Sequence, residues 1–352
     1  MGSEKDTHLE DKMKKITALL CALLMCFALV GCGQEETPEV TDAPEVAAKE
    51  VNVGVSIYKF DDNFMTLYRQ EIEAYFETLN TEEVKYNVTI QDGKNDMAEQ
   101  TAQIDNFIAQ DYDVLIINLV QSTSAATIID KCESAGKPCI FINREPSPED
   151  MEKYPGFITY VGADARQSGK FQGEMIAELE NKGDINGDGV LQYVMVVGDP
   201  ENVDAKYRTE FSISQYQETS GLEVEKIDEQ RGDWDQAKGQ EIVANALAGE
   251  RGADIEVVFC NNDGMALGAV QAITAAGRVV GEDIYLVGVD ALAEAVELVA
   301  NGGMTGTVLN DHIGQSHAAV DAAVAAVNGE TLEPYSWVDY VKVTPANAAD
   351  FQ

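Results

Sequence analysis

The sequence predicts an α/β protein of two lobes, each built on a parallel sheet, and three observations carry that reading. The chain has 352 residues, more than one hydrophobic core usually organises, so its length implies two lobes of roughly 100 to 200 residues each. Apolar residues make up 45% of it, enough to fill two cores. From Val51 onward, short apolar runs alternate with stretches of helical period, and strand-helix-strand repetition places helices on both faces of a parallel sheet.

The first half carries the runs VNVGVSIY from Val51, YNVTI from Tyr86, DVLIINLV from Asp113 and PCIFIN from Pro138. Helical stretches separate them over Met65–Leu79, Met97–Gln110 and Ala125–Gly136. After Tyr160 the rhythm restarts with LQYVMVVG, VEKID, IEVVFCN, IYLVGVD and GTVLN, and helices are expected near Ser168, Ala205, Trp234, Gly264, Leu292 and Gly314. Ligands of open α/β sheets sit outside the carboxyl ends of the strands. Asp62, Asn143, Asn262, Asp290 and Asn310 each end or follow one of these runs, so two such edges facing each other would form a polar cleft. The stretch Gly264–Gly268 reads as a helix face and no Walker lysine is present, so neither half carries a phosphate fingerprint.

Charge narrows the partners. Lys plus Arg is 24 against 62 Asp plus Glu, a formal net charge of -38, which repels a phosphate backbone and excludes nucleic acid. Charged residues are only 24% of the chain, so wholesale disorder is excluded as well.

The amino terminus is a targeting segment. Residues 1–12 are rich in acid and read as non-native, with translation starting at Met13; Lys14, Lys15 and the apolar run Ile16–Val30 then form a signal peptide too short to span a bilayer comfortably. The run ends Leu29-Val30-Gly31-Cys32, which resembles the lipobox of bacterial lipoproteins and implies that Cys32 is lipidated. Residues 1–31 are therefore leader and signal, and 32–50 are the lipidated Cys and a tether rich in Glu, Thr, Pro and Ala. The lipid would hold the protein at the outer face of the cytoplasmic membrane, or within the periplasm, without inserting it. Of the remaining cysteines, Cys132, Cys139 and Cys260 have no metal-type spacing and are expected as buried thiols. A Cys132–Cys139 bridge across the Gly136-Lys137-Pro138 turn is the alternative in an oxidising envelope.

The segment Tyr58-Lys59-Phe60-Asp61-Asp62-Asn63-Phe64 puts aromatics beside carboxylates at a strand-to-helix turn. One reading is a helix N-cap. The other is a pyranose site, because the C–H face of a sugar stacks on a ring while its hydroxyls need acceptors. Here the motifs YKFDDNFM, IINLV, FINREPS, YVGAD, DINGDGVLQ, NNDGMALGAV, GVDALAEA and GTVLND, in that order from Val51 to Asp311, closely resemble the bacterial galactose/glucose-binding proteins. That family has the class I periplasmic binding protein fold, two Rossmann-like lobes joined by a hinge of three crossovers. The resemblance places the crossovers near Val161–Asp164, Leu309–His312 and Tyr340–Thr344. The lobes would then be 51–161 plus 312–340 and 162–311 plus 341–352.

Position by position, the resemblance implies that Phe64 and Trp234 sandwich the sugar ring. Asp62, Asp204 and Asp290 would accept from its hydroxyls, Asp62 from the 4-hydroxyl, and Asn143, Asn202, Arg208, Asn262 and Asn310 would complete the shell. Asn202 stands where the family has a His that helps bind the ring oxygen and the 6-hydroxyl, and Arg144 where it has a Lys, which leaves the hexose open. Taken alone, Arg208 four residues after Asp204 also fits a surface ion pair, and Trp234 a packing residue.

The segment Asp184-Ile185-Asn186-Gly187-Asp188-Gly189-Val190-Leu191-Gln192 matches the first nine positions of an EF-hand loop: oxygens at 1, 3 and 5, Gly at 6, the Val190 carbonyl at 7 and Gln192 at 9. Position 12 is Met195, which cannot ligate calcium, and the resemblance nominates Glu256 for the missing carboxylate. His312 and His317 make no metal cluster, and no catalytic nucleophile or carboxylate pair stands out. Tyr335, Trp337 and Tyr340 read as core or hinge packing. The expectation is a monomeric, calcium-stabilised, lipid-anchored receptor without enzymatic activity, delivering D-galactose or D-glucose to an ABC transporter permease, with a chemoreceptor as a second partner known in the family. Alternatives are a receptor of the same fold for ribose, xylose or a signalling sugar, and a surface-anchored carbohydrate-active enzyme.

Overall fold

The computed structural model describes residues 47–352; the leader, signal peptide, Cys32 and most of the tether lie outside the described residues. The first lobe runs β1 (Lys49–Ile57), α1 (Asn63–Leu79), β2 (Val84–Asp92), α2 (Met97–Ala109), β3 (Val114–Ile117), α3 (Ala125–Ala135), β4 (Cys139–Ile142), α4 (Pro148–Met151) and β5 (Ile158–Gly162). The second runs α5 (Ala165–Ala177), β6 (Val190–Val197), α6 (Val203–Ser220), β7 (Glu223–Arg231), α7 (Gln236–Ala248), β8 (Val257–Cys260), α8 (Asp263–Ala275), β9 (Tyr285–Val287), α9 (Ala293–Asn301) and β10 (Thr307–Leu309). The chain then returns to the first lobe as α10 (His312–Val327) and β11 (Tyr335–Trp337), and ends in the second with β12 (Val341–Val343).

All pairings within the two main sheets are parallel, in the orders β11-β5-β4-β3-β1-β2 and β7-β6-β8-β9, while β10 and β12 pair antiparallel. The central strands β3, β4 and β8 are buried along their whole length, which is why they read as unbroken apolar runs. Each sheet is covered on both faces, by clusters around Ile72 and Phe107 in one lobe and around Ile273 and Tyr193 in the other.

The chain passes between the sheets at residues 163–164, 310–311 and 338–340. The third passage comes earlier than the expected Tyr340–Thr344, because Val341 already pairs with Leu309 in the second lobe. The tether boundary also shifts: Lys49 and Glu50 pair with Val84 and Lys85 and so belong to β1. Tyr335 and Trp337 stack on each other with ring centroids 5.3 Å apart against Tyr160, yet Trp337 stays 45% exposed, so it is a hinge-side residue and not a core one. Cys132, Cys139 and Cys260 are free and buried. Burial, with Cys132 alongside, pushes the Cys139 thiol well above its ordinary range. Among the described residues no helix is long and apolar enough to cross a membrane.

Helices α5 and α6 meet at Gly173, where a Cβ would lie 2.3 Å from the Ser212 carbonyl oxygen and 2.7 Å from the Tyr216 nitrogen. Both obstacles are backbone, so neither can rotate away. Gly173→Leu is expected to destabilise the protein by about 1–3 kcal/mol or more, seen as a lower urea midpoint; an unchanged midpoint would show that the two helices can separate freely.

Candidate functional site

The carboxyl ends of the two sheets face one another across a cavity, with about 330 Å³ of space between its lining atoms, open solvent included. All ten residues that the resemblance nominated line it: Asp62, Phe64 and Asn143 from the first lobe, Asn202, Asp204, Arg208, Trp234, Asn262 and Asp290 from the second, and Asn310 from the second passage. Three further residues share the lining, Tyr58, Met65 and Arg144.

Several of these side chains are helix caps at the same time. One oxygen of Asp62 accepts from the Met65 amide at 2.8 Å, Asn202 accepts from the Asp204 amide at 3.0 Å, and Asn262 accepts from the Met265 amide at 3.0 Å. Each cap satisfies an otherwise orphaned amide and fixes the rotamer, so the remaining polar atoms keep a set direction. The other oxygen of Asp62 accepts from the Tyr58 hydroxyl at 2.6 Å. Asn143 accepts from the Asn118 amide at 3.1 Å, leaving its own NH₂ uncommitted. Asn310 donates to Asp290 at 3.2 Å and accepts from Gln315 at 2.6 Å.

The backbone is strained at this edge. Asn143, Trp234 and Asp290 have φ of 60°, 66° and 123°. Asn tolerates the left-handed region; Trp rarely does, and Asp290 lies beyond it, so the surrounding structure must impose both. The Trp234 ring lies on Gly198, where a Cβ would come within 2.2 Å of it. Trp234 precedes α7, whose cap is Asp235, instead of starting the helix itself. Phe64 meets Tyr68 edge to face, centroids 5.9 Å apart, so the aromatic from the first lobe is braced by the core.

Asp204 and Asp290 are buried, and burial pushes both carboxyls upward. Arg208 counteracts this in each, lying 3.7 Å from an Asp204 oxygen, whereas Asp263 and Asp62 add to the rise in Asp290. Arg208 donates to Ser168, the Asn261 carbonyl and the Tyr340 hydroxyl. Tyr340 thus supports the site through Arg208, a role the sequence did not reveal; its only signal was an aromatic close to a passage between lobes. The surface ion-pair reading of Arg208 is set aside by its 3% exposure.

Ionised carboxylates only accept hydrogen bonds. A cavity with three carboxyls, the guanidiniums of Arg144 and Arg208, aromatic surface from each lobe and fixed amides suits a small molecule bearing several hydroxyls. Residues 53–331 match the family model described as the periplasmic binding protein domain. The chain belongs to that family. It is 35% identical over 316 residues to the D-galactose/methyl-galactoside binding periplasmic protein MglB of Haemophilus influenzae, covering 86% of this chain and 92% of that one. A Rhizobium meliloti protein named for rhizopine is 33% identical over 309 residues, covering 87% and 94% of the two chains. The solved structure of an ABC transporter solute binding protein from Bacillus halodurans with bound myo-inositol superposes with a TM-score of 0.75 at 30% identity, over 86% of this chain and 98% of the other. Each of these relatives is named as a binding protein.

The EF-hand-like segment folds back on itself beside β8. Asp184 accepts from the amides of Gly187, Asp188 and Gly189, and Asp188 accepts from Val190 and from the Gln192 side chain. Asn186 donates to the Gln192 side chain. Glu256, only 3% exposed, accepts from the amides of Ile185, Asn186 and Gln192. The nominated residues are therefore neighbours, although among the described residues no three His, Cys, Asp or Glu side chains converge closely enough to hold a metal by themselves.

Glu145, next to the cavity, is pushed up to about 7 by burial and by the Asp204 charge, against the pull of Arg166. Its folded-state value lies above that of the unfolded chain, so its contribution to stability is complete below the ordinary carboxylate range and is lost as pH rises through about 7. Asp263, raised to about 6 mainly by burial, acts in the same direction. Glu145→Gln should therefore unfold at higher urea than the parent at pH 8, with the gap closing towards pH 4.5; a gap independent of pH would show that Glu145 does not titrate in this way.

Proposed function

We propose that this protein is the extracytoplasmic solute receptor of an ABC importer, capturing a hexopyranose, D-galactose or D-glucose, between its lobes and presenting the closed form to the membrane permease. The observation that carries this reading is the set of three acidic acceptors, Asp62, Asp204 and Asp290, lining one cavity with Phe64 from one lobe and Trp234 from the other. The rings would cover the two faces of a six-membered ring while the carboxylates accept hydrogen bonds from its hydroxyls. A buried hydrogen bond to a charge contributes about 1.5–3 kcal/mol, and a similar penalty attends one left unmade, so ligands lacking a hydroxyl are rejected. The receptor does no chemistry in this reading; turnover of a chromogenic glycoside would support the competing carbohydrate-active enzyme. Lipidation of Cys32 anchors it outside the cytoplasmic membrane, it acts as a monomer, and a chemoreceptor is a second partner.

Asn202 favours a second ligand class. Its side-chain oxygen is committed to capping α6, so it offers a ligand only its NH₂. A cyclitol has neither the ring oxygen nor the 6-hydroxyl that the family's His serves, and the relative solved with myo-inositol is similar over most of its length. Ribose, xylose and a signalling sugar are the remaining alternatives. Calorimetric titration of the chain from Gly33 onward, in calcium, with galactose, glucose, xylose, ribose and myo-inositol decides among them. One-to-one binding of either hexose ahead of the others is the expected result, and no heat with any of them would overturn the ligand class. Asp290→Ala should weaken the preferred ligand at least about tenfold, equivalent to about 1.4 kcal/mol; an unchanged Kd removes Asp290 from the site.

Calcium is the structural cofactor in this proposal. Hard oxygen donors gather in one short loop, and Glu256 is a buried carboxylate that accepts from three backbone amides, with Arg278 acting on it through its charge. Asp184, Asn186, Asp188, the Val190 carbonyl, Gln192 and Glu256 would hold the ion, whose charge would offset most of that of the three carboxylates. At a hundredfold excess over Kd, calcium would stabilise the fold by about 2.7 kcal/mol. Chelation should lower the Tm of the parent and leave that of Asp188→Ala unmoved; a parent Tm insensitive to chelator rules the ion out.

A further inference from the structure

We infer that Arg144 is a positioning residue that fastens the two lobes at the mouth of the cleft through an ion pair with Asp199, and that the fastened state retains the ligand. Retention rests on the sugar reading above, whereas fastening does not. Arg144 follows β4 in the first lobe and Asp199 follows β6 in the second, and Arg144 Nη1 lies 3.8 Å from Asp199 Oδ2. Among the described residues this is the only ion pair that joins the lobes. Its location is particular. An outer cleft adjoins the inner cavity and shares Tyr58, Arg144 and Trp234 with it, and Arg144 lines both spaces whereas Asp199 lines only the outer one. The pair therefore lies across the boundary between them.

The side chains of Arg144 and Asp199 are 3% and 12% exposed. Salt screens such a pair far less than a surface pair, and burying either charge alone is costly. Each partner also has a resting place in its own lobe. The Arg144 guanidinium lies 3.8 Å from the centroid of the Tyr58 ring and donates to the Val120 carbonyl at 2.6 Å. Asp199 Oδ1 is held by Arg231 at 3.3 Å and by the Glu201 amide at 3.1 Å, which leaves Oδ2 to face Arg144. When the lobes part, neither charge is stranded, so the contact can form and break reversibly. Stacking, a carbonyl and a carboxylate are engaged together by a flat guanidinium; an ammonium cannot reproduce that arrangement. The ring under Arg144 belongs to the tyrosine that donates to Asp62 at 2.6 Å, so fastening and the orientation of an acceptor share one support.

The test places fluorescent labels at cysteines introduced for the exposed Glu82 and Glu250, one per lobe, and measures the interlobe distance at low ionic strength. Without sugar, Asp199→Asn and Arg144→Gln should each lengthen the mean distance relative to the parent, Asp199→Glu should restore it, and Arg144→Lys should restore it only in part. Galactose or glucose should leave each of the first two variants about three- to tenfold faster than the parent, and the double variant should be no worse than either single one. Parent-like distances in both single variants, or losses that add fully in the double variant, overturn the proposal. If neither hexose binds the parent, the sugar reading fails and the distances alone still decide the fastening.

Discussion

The cavity depends on the guanidinium of Arg208. Three carboxylates in one small space repel one another and lose their hydration, at a cost of several kcal/mol per buried ion unless compensated. Arg208 is the compensation: it lies beside Asp204 and lowers the raised Asp204 and Asp290 carboxyls. It is itself held from three directions, by α5 through Ser168, by the end of β8 through the Asn261 carbonyl and by the third passage through Tyr340. The charge balance of the site and the course of the chain between lobes therefore share one residue.

A second economy lies in the use of helix starts. In a parallel sheet each strand delivers the chain to a helix N-terminus at the same edge, and free amides there call for an Asp or Asn. Asp62, Asn202 and Asn262 meet that demand and line the cavity at once. Capping and ligand-facing roles are thus two consequences of one placement. Capping consumes one face of the side chain and aims the other, so little ordering entropy remains to be lost when a ligand arrives.

Much of this was legible in the sequence, because it follows from local rules. Buried strands such as Val114–Ile117 and Val257–Cys260 are continuous apolar runs, and the polar residue after each marks the edge where the site forms. What was illegible depends on distant partners. The three-residue strands β11 and β12 carry no periodicity of their own and exist only because β5 and β10 offer them an edge. For the same reason the third passage was placed slightly too late. Tyr58 and Arg144 lie within the YKFDDNFM and FINREPS motifs, yet their stacking joins residues 86 positions apart. Tyr340 acts on Arg208 from 132 residues away. The strain at Trp234 and Asp290 was equally hidden, since Trp rarely takes a positive φ and Asp does so mostly in the left-handed helical region, short of the 123° of Asp290.

In the proposed reading, the acidic groups that would accept from a hydroxyl-bearing ligand also bear on how the lobes meet. Asp62 belongs to the first lobe and Asp290 to the second, and the charge of one raises the carboxyl of the other across the cleft. That repulsion grows as the lobes approach and opposes closure of the empty protein. A ligand that donates hydrogen bonds to both carboxylates converts the opposing term into an attractive one, so its differential affinity for the closed form is built into the acceptors themselves. A ligand with too few donors leaves the repulsion in place and shifts the equilibrium little, however well its ring stacks on Phe64 and Trp234. Selectivity and closure are in this sense a single electrostatic property, and the placement of one carboxylate on each side of the cleft is what joins them.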